Sequence, residues 1–469
     1  MSVAPARETG VRRNPAKERL LSAFQELEHH ARAEAPVWLQ SFRRAAIERF
    51  EASGFPTTRD EDWRYTSVAP IEATPFRLAP DEPPDGVTAE AVAALSVGVS
   101  SSSRLVFVNG RCAPKLSCIR PTPGGGRLVR LAEAVFTDGE LVRSHLTGLS
   151  GSALDRDRPG TPPHLGGAFD ALNGALWQDG ALIHLPAGVV VDEPLELLFV
   201  ATGGEIAVAS HPLNIIILER GSQATVVESY VSVGDAATLT NVTTTAAIGA
   251  SATLQHHTIQ RESGRAFHVG RLRARQERDS TLVAFTTTFG GRLTRNDVHV
   301  RLDAEGAACA LNGLFVIGGR QHVDTHTVVD HASPRGTSRQ LYKGVLDGRA
   351  RGVFNGRVIV RPGAQKTDAH QTNKNLLLSD GVEVDSKPQL EIFTDDVKCS
   401  HGAADGQLAG DAIFYLRSRG LSDGAARALL TYGFAGEVLG RIPVVALRTR
   451  LERLLTARLP GGRVPEEVA

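Results

Sequence analysis

The sequence predicts a mainly β protein: a right-handed β-helix-like solenoid core flanked by N-terminal and C-terminal helical domains. The first observation behind this prediction is a repeat spacing. Four segments, GSQATV, GASATL, ERDSTL and GAACAL, start 28, 28 and 29 residues apart, at Gly221, Gly249, Glu277 and Gly306. Self-similarity at such a spacing is typical of a solenoid, whose units bury their apolar faces only by stacking on their neighbours. GRARGV follows 42 residues later at Gly348, about one and a half periods on.

Composition and periodicity are the other two observations. Aromatic residues make up only 5% of the chain and glycine reaches 47 residues. This balance favours stacked strands of about five residues joined by turns. The apolar spacing becomes helical toward both ends of the chain. The predicted units are a disordered tail over 1–14, an N-terminal helical domain and linker over 15–100, a β-helix core over 101–405 with a linker near 150–165, and a C-terminal helical domain over 406–469.

Two amphipathic helices are predicted near the N-terminus. The first starts at Pro15 and the second ends before Gly54, a residue suited to a helix C-terminus. The apolar positions that follow helical spacing are Leu20, Leu21, Phe24, Leu27, Trp38, Phe42, Ala45 and Ala46. In the next loop, GFPTTRDEDWRYT, we expect Trp63 and Tyr65 to be packing anchors, with a ligand-stacking pair as the alternative.

The next predicted strand, LVFVNG, runs into an Asn-Gly turn at Gly110. Cys112 and Cys118 follow it and are predicted to be free thiols in a loop, whereas Cys309 in GAACALNG is predicted to lie in the core. Together with Cys399, the four cysteines form no Cys-x-x-Cys pair. A disulfide framework is not expected in so large a chain, so the pattern favours a reducing compartment.

Charge and hydropathy exclude several classes of protein. Lys plus Arg equals Asp plus Glu at 52 each, whereas nucleic-acid and membrane-surface proteins need a basic face. The N-terminal segment MSVAPARETGVRRNPAKERL lacks an apolar core of the signal-peptide kind. No run approaches the roughly 18 apolar residues of a membrane span. We therefore expect a cytoplasmic protein.

Helical spacing returns after Gly406. Ile413 and Leu416 lie on a predicted helix that ends in basic residues and Gly. Ser422 is the predicted N-cap of a second helix over 423–432, and Pro443 opens a third.

The run QHVDTHTVVDH places His322, Asp324 and His326 on one face of a predicted strand, with His331 after it. His322 and His326 would be about 13 Å apart along that strand, too far to share one metal ion. We interpret the run as a polar ladder on a solvent or partner face, with a metal site as the alternative. A further set of histidines is interpreted as structural: His256, His257 and His268.

Cys399 and His401 stand two residues apart at the end of the predicted solenoid, so both side chains leave the same face of an extended segment. Thiolate and imidazole are soft ligands that suit zinc, copper or iron–sulfur chemistry. A closed site needs about four ligands, which suggests that a second chain supplies the rest. The alternative is a buried thiol beside a hydrogen-bonded histidine.

Several catalytic motifs are absent from the sequence. There is no G-x-x-x-x-G-K-[ST], so we do not expect this chain to bind and hydrolyse a nucleotide. G-x-S-x-G, H-E-x-x-H and G-x-G-x-x-G after a strand are absent as well. An enzyme remains the alternative class: a β-helix acting on polysaccharide with paired carboxylates. The candidate pairs are Asp395 with Asp396 and Asp324 with Asp330.

The stretch KTDAHQTNKNLLLSDGVEVDSKPQLEIFTDDVKCSHGA resembles the SufB/SufD family of the SUF iron–sulfur cluster assembly machinery, and its SufD-type members in particular. YKGVLDGRARGVFNGRVIV upstream and FYLRSRGLSDGAARALL downstream extend the resemblance from about residue 173 to the C-terminus. A weaker similarity is found at GFPTTRDEDWRYTS. SufB-like chains are the alternative within the family, but CSHGA departs from the VEHEA-like sequence expected of them.

The resemblance implies a non-catalytic scaffold subunit that pairs with a SufB-like paralogue. In such proteins the histidine matching His401 is thought to act with a partner cysteine where a transient iron–sulfur cluster forms, and Cys399 shares the motif. A SufC-like ATPase would dock on the C-terminal helices and supply the nucleotide chemistry. The predicted interface residues are Leu408, Phe414, Tyr415, Leu416, Leu429 and Leu430. A homodimer and flavin binding stay open.

Overall fold

The structure is a computed structural model that describes residues 14–31, 35–80, 86–96, 102–149 and 167–459. The predicted linker near 150–165 lies outside the described residues. The predicted disordered tail also lies outside them, apart from Asn14.

Two large sheets form a β-solenoid, which confirms the predicted fold class. The first, sheet A, has the strand order β20-β18-β16-β14-β12-β10-β8-β5-β4, with β7 beside β10 and β1 beside β7. The second, sheet B, has the order β21-β19-β17-β15-β13-β11-β9-β6-β2-β3. From β8 onward all pairs are parallel, so each turn of the solenoid adds one strand to each sheet.

The strands are β1 (Arg77–Leu78), β2 (Arg104–Val108), β3 (Arg111–Cys112), β4 (Arg127–Arg130), β5 (Ala181–Leu185), β6 (Leu195–Thr202), β7 (Val208–Ser210), β8 (Leu213–Leu218), β9 (Gln223–Val233), β10 (Thr238–Ile248), β11 (Thr253–Arg261), β12 (Phe267–Gln276), β13 (Thr281–Thr288), β14 (Leu293–Leu302), β15 (Ala308–Ile317), β16 (His322–His331), β17 (Thr337–Leu346), β18 (Arg351–Val360), β19 (Thr367–Leu377), β20 (Glu383–Ile392) and β21 (Val397–Gly406). The helices are α1 (Pro15–Ala31), α2 (Val37–Ser53), α3 (Ala69–Ala73), α4 (Ala89–Leu95), α5 (Leu131–Thr137), α6 (Gly139–Leu149), α7 (Ala168–Leu176), α8 (Gly410–Ser418), α9 (Asp423–Leu439) and α10 (Val445–Thr456). No helix within these described ranges is long and apolar enough to cross a membrane.

The repeat spacing seen in the sequence is the length of one solenoid turn. The first four repeat segments lead into β9, β11, β13 and β15, all in sheet B, whereas the segment at Gly348 leads into β18 in sheet A. Its offset of one and a half periods therefore marks a change of sheet. The predicted strand length of about five residues was wrong, because β9 to β21 span 8 to 11 residues. Buried threonines such as Thr243 and Thr244 lie within β10 and extend it beyond the predicted length.

Stacked columns of apolar side chains fill the space between the two sheets. Leu254 of β11 lies beside Ala224 of β9 and Leu282 of β13, and Leu282 lies beside Cys309. All four are buried, and their contacts form one continuous cluster. Parallel ladders keep identical positions in line from turn to turn, so each turn completes the core of the one before. Cys309 is a core residue, as predicted.

The N-terminal helices cover the outer face of sheet A. Phe24 of α1, Phe50 of α2 and Phe169 of α7 are buried in one cluster with Phe267 of β12. Both helices fall where the sequence predicts them, and Gly54 ends α2 with a φ of 65°, a conformation that favours glycine.

The segment Gly54–Ser67, which we call the N-terminal loop, follows α2 and also packs on sheet A. Trp63 contacts Phe169 with ring centroids 5.4 Å apart, and the Arg295 guanidinium lies 4.6 Å from the Trp63 ring centroid. Trp63 is therefore a packing anchor, as predicted.

The first strands of the solenoid are held by a hairpin. Asn109 and Gly110 have φ values of 50° and 78° and join β2 to β3 in the tight turn predicted from Asn-Gly. Cys112 lies in β3 and is buried, so its predicted place in a loop was wrong. Its amide donates to Asp179, which fixes the strand to the next turn. Cys118 is exposed, and both thiols are free.

The C-terminal helices pack on the outer face of sheet B. Leu447, Leu451 and Leu455 of α10 are buried in a cluster that includes Phe285 and Leu341 of the sheet. Ser422 caps α9 by accepting a hydrogen bond from the Ala425 amide, as predicted. The helix continues to Leu439, beyond the predicted end near 432, because its apolar positions keep contacting the sheet.

Candidate partner and cluster site

The solenoid ends in two strands that are paired on one side only. Within the described residues, β20 pairs with β18 and β21 pairs with β19, and no strand covers their outer edges. Each strand has ten residues, and β21 is mostly exposed. Long unpaired edges expose backbone N–H and C=O groups that accept another strand readily.

The alternation of backbone hydrogen bonds along the ladder identifies which residues of β21 point their amides to the open edge. Thr337 donates its amide to Ala307 of the preceding turn, and Asp368 donates to Gly336, each over 3.0 Å. Lys398 is the register partner of Asp368 and occupies the same position on the last turn. Neighbouring residues of a strand point their backbone amides to opposite sides. The amide of Lys398 therefore points to β19, and the amides of Cys399, His401 and Ala403 point to the open edge.

Cys399 and His401 lie on the inner row of the last turn, as the spacing of two predicted. Cys399 pairs with Ala369, and His401 pairs with Gln371, both of which are buried between the sheets. Gln371 in turn pairs with Gln340. His401 therefore continues a column of interior side chains, yet it is exposed because no further turn covers it.

The two side chains differ in environment. Cys399 is half-buried and packs near Val360 and Ala369, and this burial raises the pKa of the thiol, with Asp368 adding to the shift. A raised pKa keeps the sulfur protonated and weakens it as a ligand until a cation displaces the proton. His401 is exposed and its imidazole is accessible from outside. In the free chain His401 is therefore more accessible than Cys399 as a metal ligand.

Amide and hydroxyl groups surround the inner row near this end. Asn375 donates to Asp405 over 2.7 Å and to Asn373 over 2.9 Å, and Ser386 donates to Asn373 over 2.8 Å. This network was not predicted from the sequence, although the alternation of polar residues in the QTNKN segment of β19 is a signal for it. Across the described chain no three His, Cys, Asp or Glu side chains come together as a metal site.

The predicted interface residues divide into two groups. Phe414 and Tyr415 of α8 are among the most exposed large apolar side chains, at 74% and 57%. Leu408 and Leu429 are half-buried against the cluster between helices and sheet B. Leu416 and Leu430 are also half-buried. Phe414 and Tyr415 are therefore the two that a partner reaches without disturbing the helices.

The run around Asp324 lies on the outer face of sheet A but is not open to solvent or a partner. The Thr66 hydroxyl donates to Asp324 and lies 3.1 Å from His322 Nε2, so the N-terminal loop covers the run. Burial opposes ionisation of Asp324, yet the Arg295 guanidinium at 2.7 Å holds its pKa well below the usual range. His326 also lies 3.1 Å from this carboxyl group. The predicted location on a solvent or partner face was wrong, because a loop more than 250 residues away in sequence packs there.

The remaining histidines make structural contacts. His256 is 3.0 Å from Glu228 and His268 is 2.8 Å from Glu262, all of them buried, and His257 stacks on a phenylalanine ring. His331 faces the interior and contacts Ser338.

The candidate acid and base pairs of the polysaccharide-enzyme alternative are engaged elsewhere. Asp324 is bound by Arg295, Asp330 by Arg361, and Asp396 by Lys366. The geometry therefore gives that alternative no support.

Comparison with known proteins assigns both parts of the chain to one system. Residues 199–434 match the family described as "SUF system FeS cluster assembly, SufBD core domain", and residues 14–197 match "SufBD protein N-terminal region". The chain is 32% identical to the iron-sulfur cluster assembly protein SufD of Escherichia coli over 419 residues, covering 89% of this chain and 92% of that protein. It is 31% identical to an iron-sulfur cluster assembly SufBD family protein of Synechocystis, covering 89% and 90%. It is 25% identical to SufD of Bacillus subtilis, covering 90% and 94%.

Proposed function

The chain belongs to the SufBD family of the SUF iron–sulfur cluster assembly system, and from this premise we propose that it acts as a SufD-type, non-catalytic scaffold subunit. In this proposal it pairs with a SufB-like paralogue, and a nascent cluster forms transiently where the two chains meet. The unpaired edge of β21, with His401 exposed on it, is the observation that carries the proposal.

Strand addition is the physical basis of the proposed pairing. A second solenoid ending in similar edge strands would continue both sheets and satisfy the outward-facing amides of β21. His401 would then lie at the junction, where its imidazole would be one ligand of the nascent cluster and the partner would supply the others. Histidine ligation of a cluster iron is established chemistry in Rieske centres. Cys399 is a weaker candidate ligand, because burial raises its pKa.

A SufC-like ATPase is the second proposed partner. Phe414 and Tyr415 offer an exposed apolar surface on α8, directly after the open end. The sequence contains no nucleotide-binding P-loop, so in this proposal the ATPase supplies the energy for opening and closing the scaffold. All four cysteines are free thiols, which favours the reducing cytoplasm as the place of action.

The test is anaerobic coexpression with the SufB-like and SufC-like partners, followed by measurement of bound iron and sulfide. We expect His401→Ala to leave the complex assembled and to lower its cluster content sharply. His370→Ala is the matched control, because His370 is an exposed imidazole on the neighbouring strand but on the outer row. Equal cluster content in the His401→Ala and unaltered complexes would assign the site wholly to the partner. If no complex forms with the unaltered chain, the scaffold proposal fails.

A further inference from the structure

A cavity of about 410 Å³ lies between the N-terminal loop and the outer face of sheet A, and its floor extends to β18, the neighbour of the last strand of that sheet. Side chains from β12, β14, β16 and β18 form its floor, and the end of α2, the N-terminal loop and the start of α7 form its walls. Its volume is in the range of pockets that hold small organic ligands. Neither the proposed pairing nor the cluster chemistry uses this cavity.

Two nitrogen atoms on the cavity floor lack hydrogen-bond partners among the described residues: Arg271 Nη1 and His299 Nε2. The Arg271 side chain is only 8% exposed. Arg271 pairs in register with Asp297, and His299 pairs with Arg273, so the two residues are diagonal neighbours on β12 and β14. Strand spacing and rise place their Cα atoms roughly 8 Å apart, close enough for one anionic group to contact both side chains. A buried polar atom without a partner is costly and needs an explanation.

The nearest carboxylates of the chain do not bond directly to this guanidinium end. Asp170 lies 4.0 Å from Arg271 Nη1 and instead accepts a hydrogen bond from Arg273. Asp297 lies 3.6 Å from Arg271 Nε and accepts from Arg295 over 2.7 Å. Burial lowers the pKa of Arg271 despite both carboxylates, so its charge is incompletely compensated. An anionic oxygen is the group that would complete this environment.

The opposite wall of the cavity carries apolar side chains beside the acidic residues Asp60, Glu61 and Asp62 of the N-terminal loop. Phe55, Pro56 and Trp63 of the N-terminal loop line it and are each only half-buried. Ring faces of this kind favour flat apolar groups, which stack on them. On the floor, burial lowers the pKa of His299 to about 4, so the imidazole is neutral at pH 7 and available as a hydrogen-bonding group.

We propose that this cavity binds a small organic anion. Its acidic group, a phosphate, sulfonate or carboxylate, lies between Arg271 and His299, and its flat apolar part lies against Phe55 and Trp63. The N-terminal loop then forms one side of a ligand site in addition to anchoring the helices on sheet A.

Anilinonaphthalene sulfonate is a suitable probe, because it joins a sulfonate to flat rings. We would titrate it into the full chain and follow its fluorescence, comparing the unaltered protein with Arg271→Gln and with Arg275→Gln. Arg275 is the matched control: it lies four residues further along the same face of β12, outside the cavity, and pairs with Asp303. We expect one saturable site, weakened about tenfold or more by Arg271→Gln and unchanged by Arg275→Gln.

Equal affinity of the unaltered and Arg271→Gln proteins, or fluorescence that never saturates, would overturn the proposal. Arg271→Lys is a second variant that guards against a folding defect in Arg271→Gln, since lysine keeps the positive charge on a shorter side chain. With an unaltered melting temperature, Arg271→Lys should bind the probe several-fold more weakly, and unchanged binding would count against the site. The outcome is independent of cluster assembly, so failure here leaves the proposed scaffold function standing.

Discussion

The N-terminal end of the solenoid is capped, whereas its C-terminal end is left unpaired within the described part of the chain. At the N-terminal end the sheets close with short antiparallel strands, β3 of two residues and β4 of four. Core side chains at this end, such as Phe107 of β2 and Leu131 of α5, are fully buried. At the C-terminal end, β20 and β21 each run for ten residues, and none of their residues is fully buried. Natural sheets shorten or cover an edge that must stay unpaired, so a long open edge indicates a surface kept for pairing.

The path of the chain enforces this difference. Up to residue 459, the last one the structure describes, the chain after β21 does not fold over the end of the solenoid, because α9 and α10 pack on the outer face of sheet B. Lys343 of β17 fixes this arrangement by donating to Glu437 and to the Phe434 carbonyl group of α9. The helices thus leave the last turn exposed. Pro388 occupies an outward-facing position of β20, where proline is tolerated because it lies at the sheet edge, so β21 is the edge strand with an unbroken row of outward amides.

Truncating a core side chain should lower the free energy of unfolding much more at the closed end than at the open end, and this is the largest difference that we expect. Phe107 stacks on Phe199 with centroids 4.8 Å apart, so Phe107→Ala should lower the free energy of unfolding by about 3–5 kcal/mol. Leu390 is half-buried at the open end, so Leu390→Ala should cost only about 1 kcal/mol. Chemical denaturation of the free chain measures both. Equal losses would mean that the two ends are packed alike.

Breaking the open edge should abolish the partner complex with little effect on the free chain. Ala403 faces outward in β21, so Ala403→Pro removes an outward amide and should weaken binding of the SufB-like chain at least about 100-fold. Ala403→Val is the control, because it keeps the amide in a residue that favours strands. Analytical ultracentrifugation and melting temperatures test this pair of variants. Undiminished binding by the proline variant would show that β21 does not pair with the partner.

The helices after the open end should contribute a separate, smaller effect. Phe414→Asp should weaken binding of the SufC-like ATPase about tenfold, because it places a charge on an exposed apolar surface. Val445→Asp is the matched control, since Val445 is 62% exposed on α10 of the same helical unit. Calorimetric titration distinguishes the two. If Val445→Asp has the larger effect, the ATPase docks on another face.

Surface ion pairs should matter least, and equally, at both ends. A hydrogen bond from Arg339 lowers the pKa of Asp368 near the open end, and one from Arg127 lowers that of Asp138 near the closed end. A lowered carboxyl pKa stabilises the fold fully above the ordinary value near 4, and this contribution declines as the pH falls from there through the lower pKa of the folded state. Because both carboxylates lie at the surface and are screened by solvent, Asp368→Asn and Asp138→Asn should each cost only about 0.5 kcal/mol at pH 7 and less near pH 2. Melting curves at the two pH values check this, and a larger loss for either variant would reveal a structural role.

The repeat spacing was enough to predict the solenoid, because stacking forces each turn to repeat the last. The fixed period of two was likewise enough to place Cys399 and His401 on one face. Strand length was not predictable, since a polar residue such as Thr243 is buried within a strand, between Leu213 and Arg271 of the neighbouring strands. The covering of Asp324 by Thr66 is a contact across 258 residues, for which no local pattern gives a signal. The open edge itself follows from where the helices pack, a tertiary property.

The most direct test of the central claim, that the open end is the partner surface, is amide hydrogen exchange of the free chain and of its complex with the SufB-like paralogue. We expect fast exchange in β21 of the free chain and strong protection of β20 and β21 in the complex, with β2 to β4 unchanged. Protection confined to the closed end or to the N-terminal loop, with β21 still exchanging fast, would contradict it.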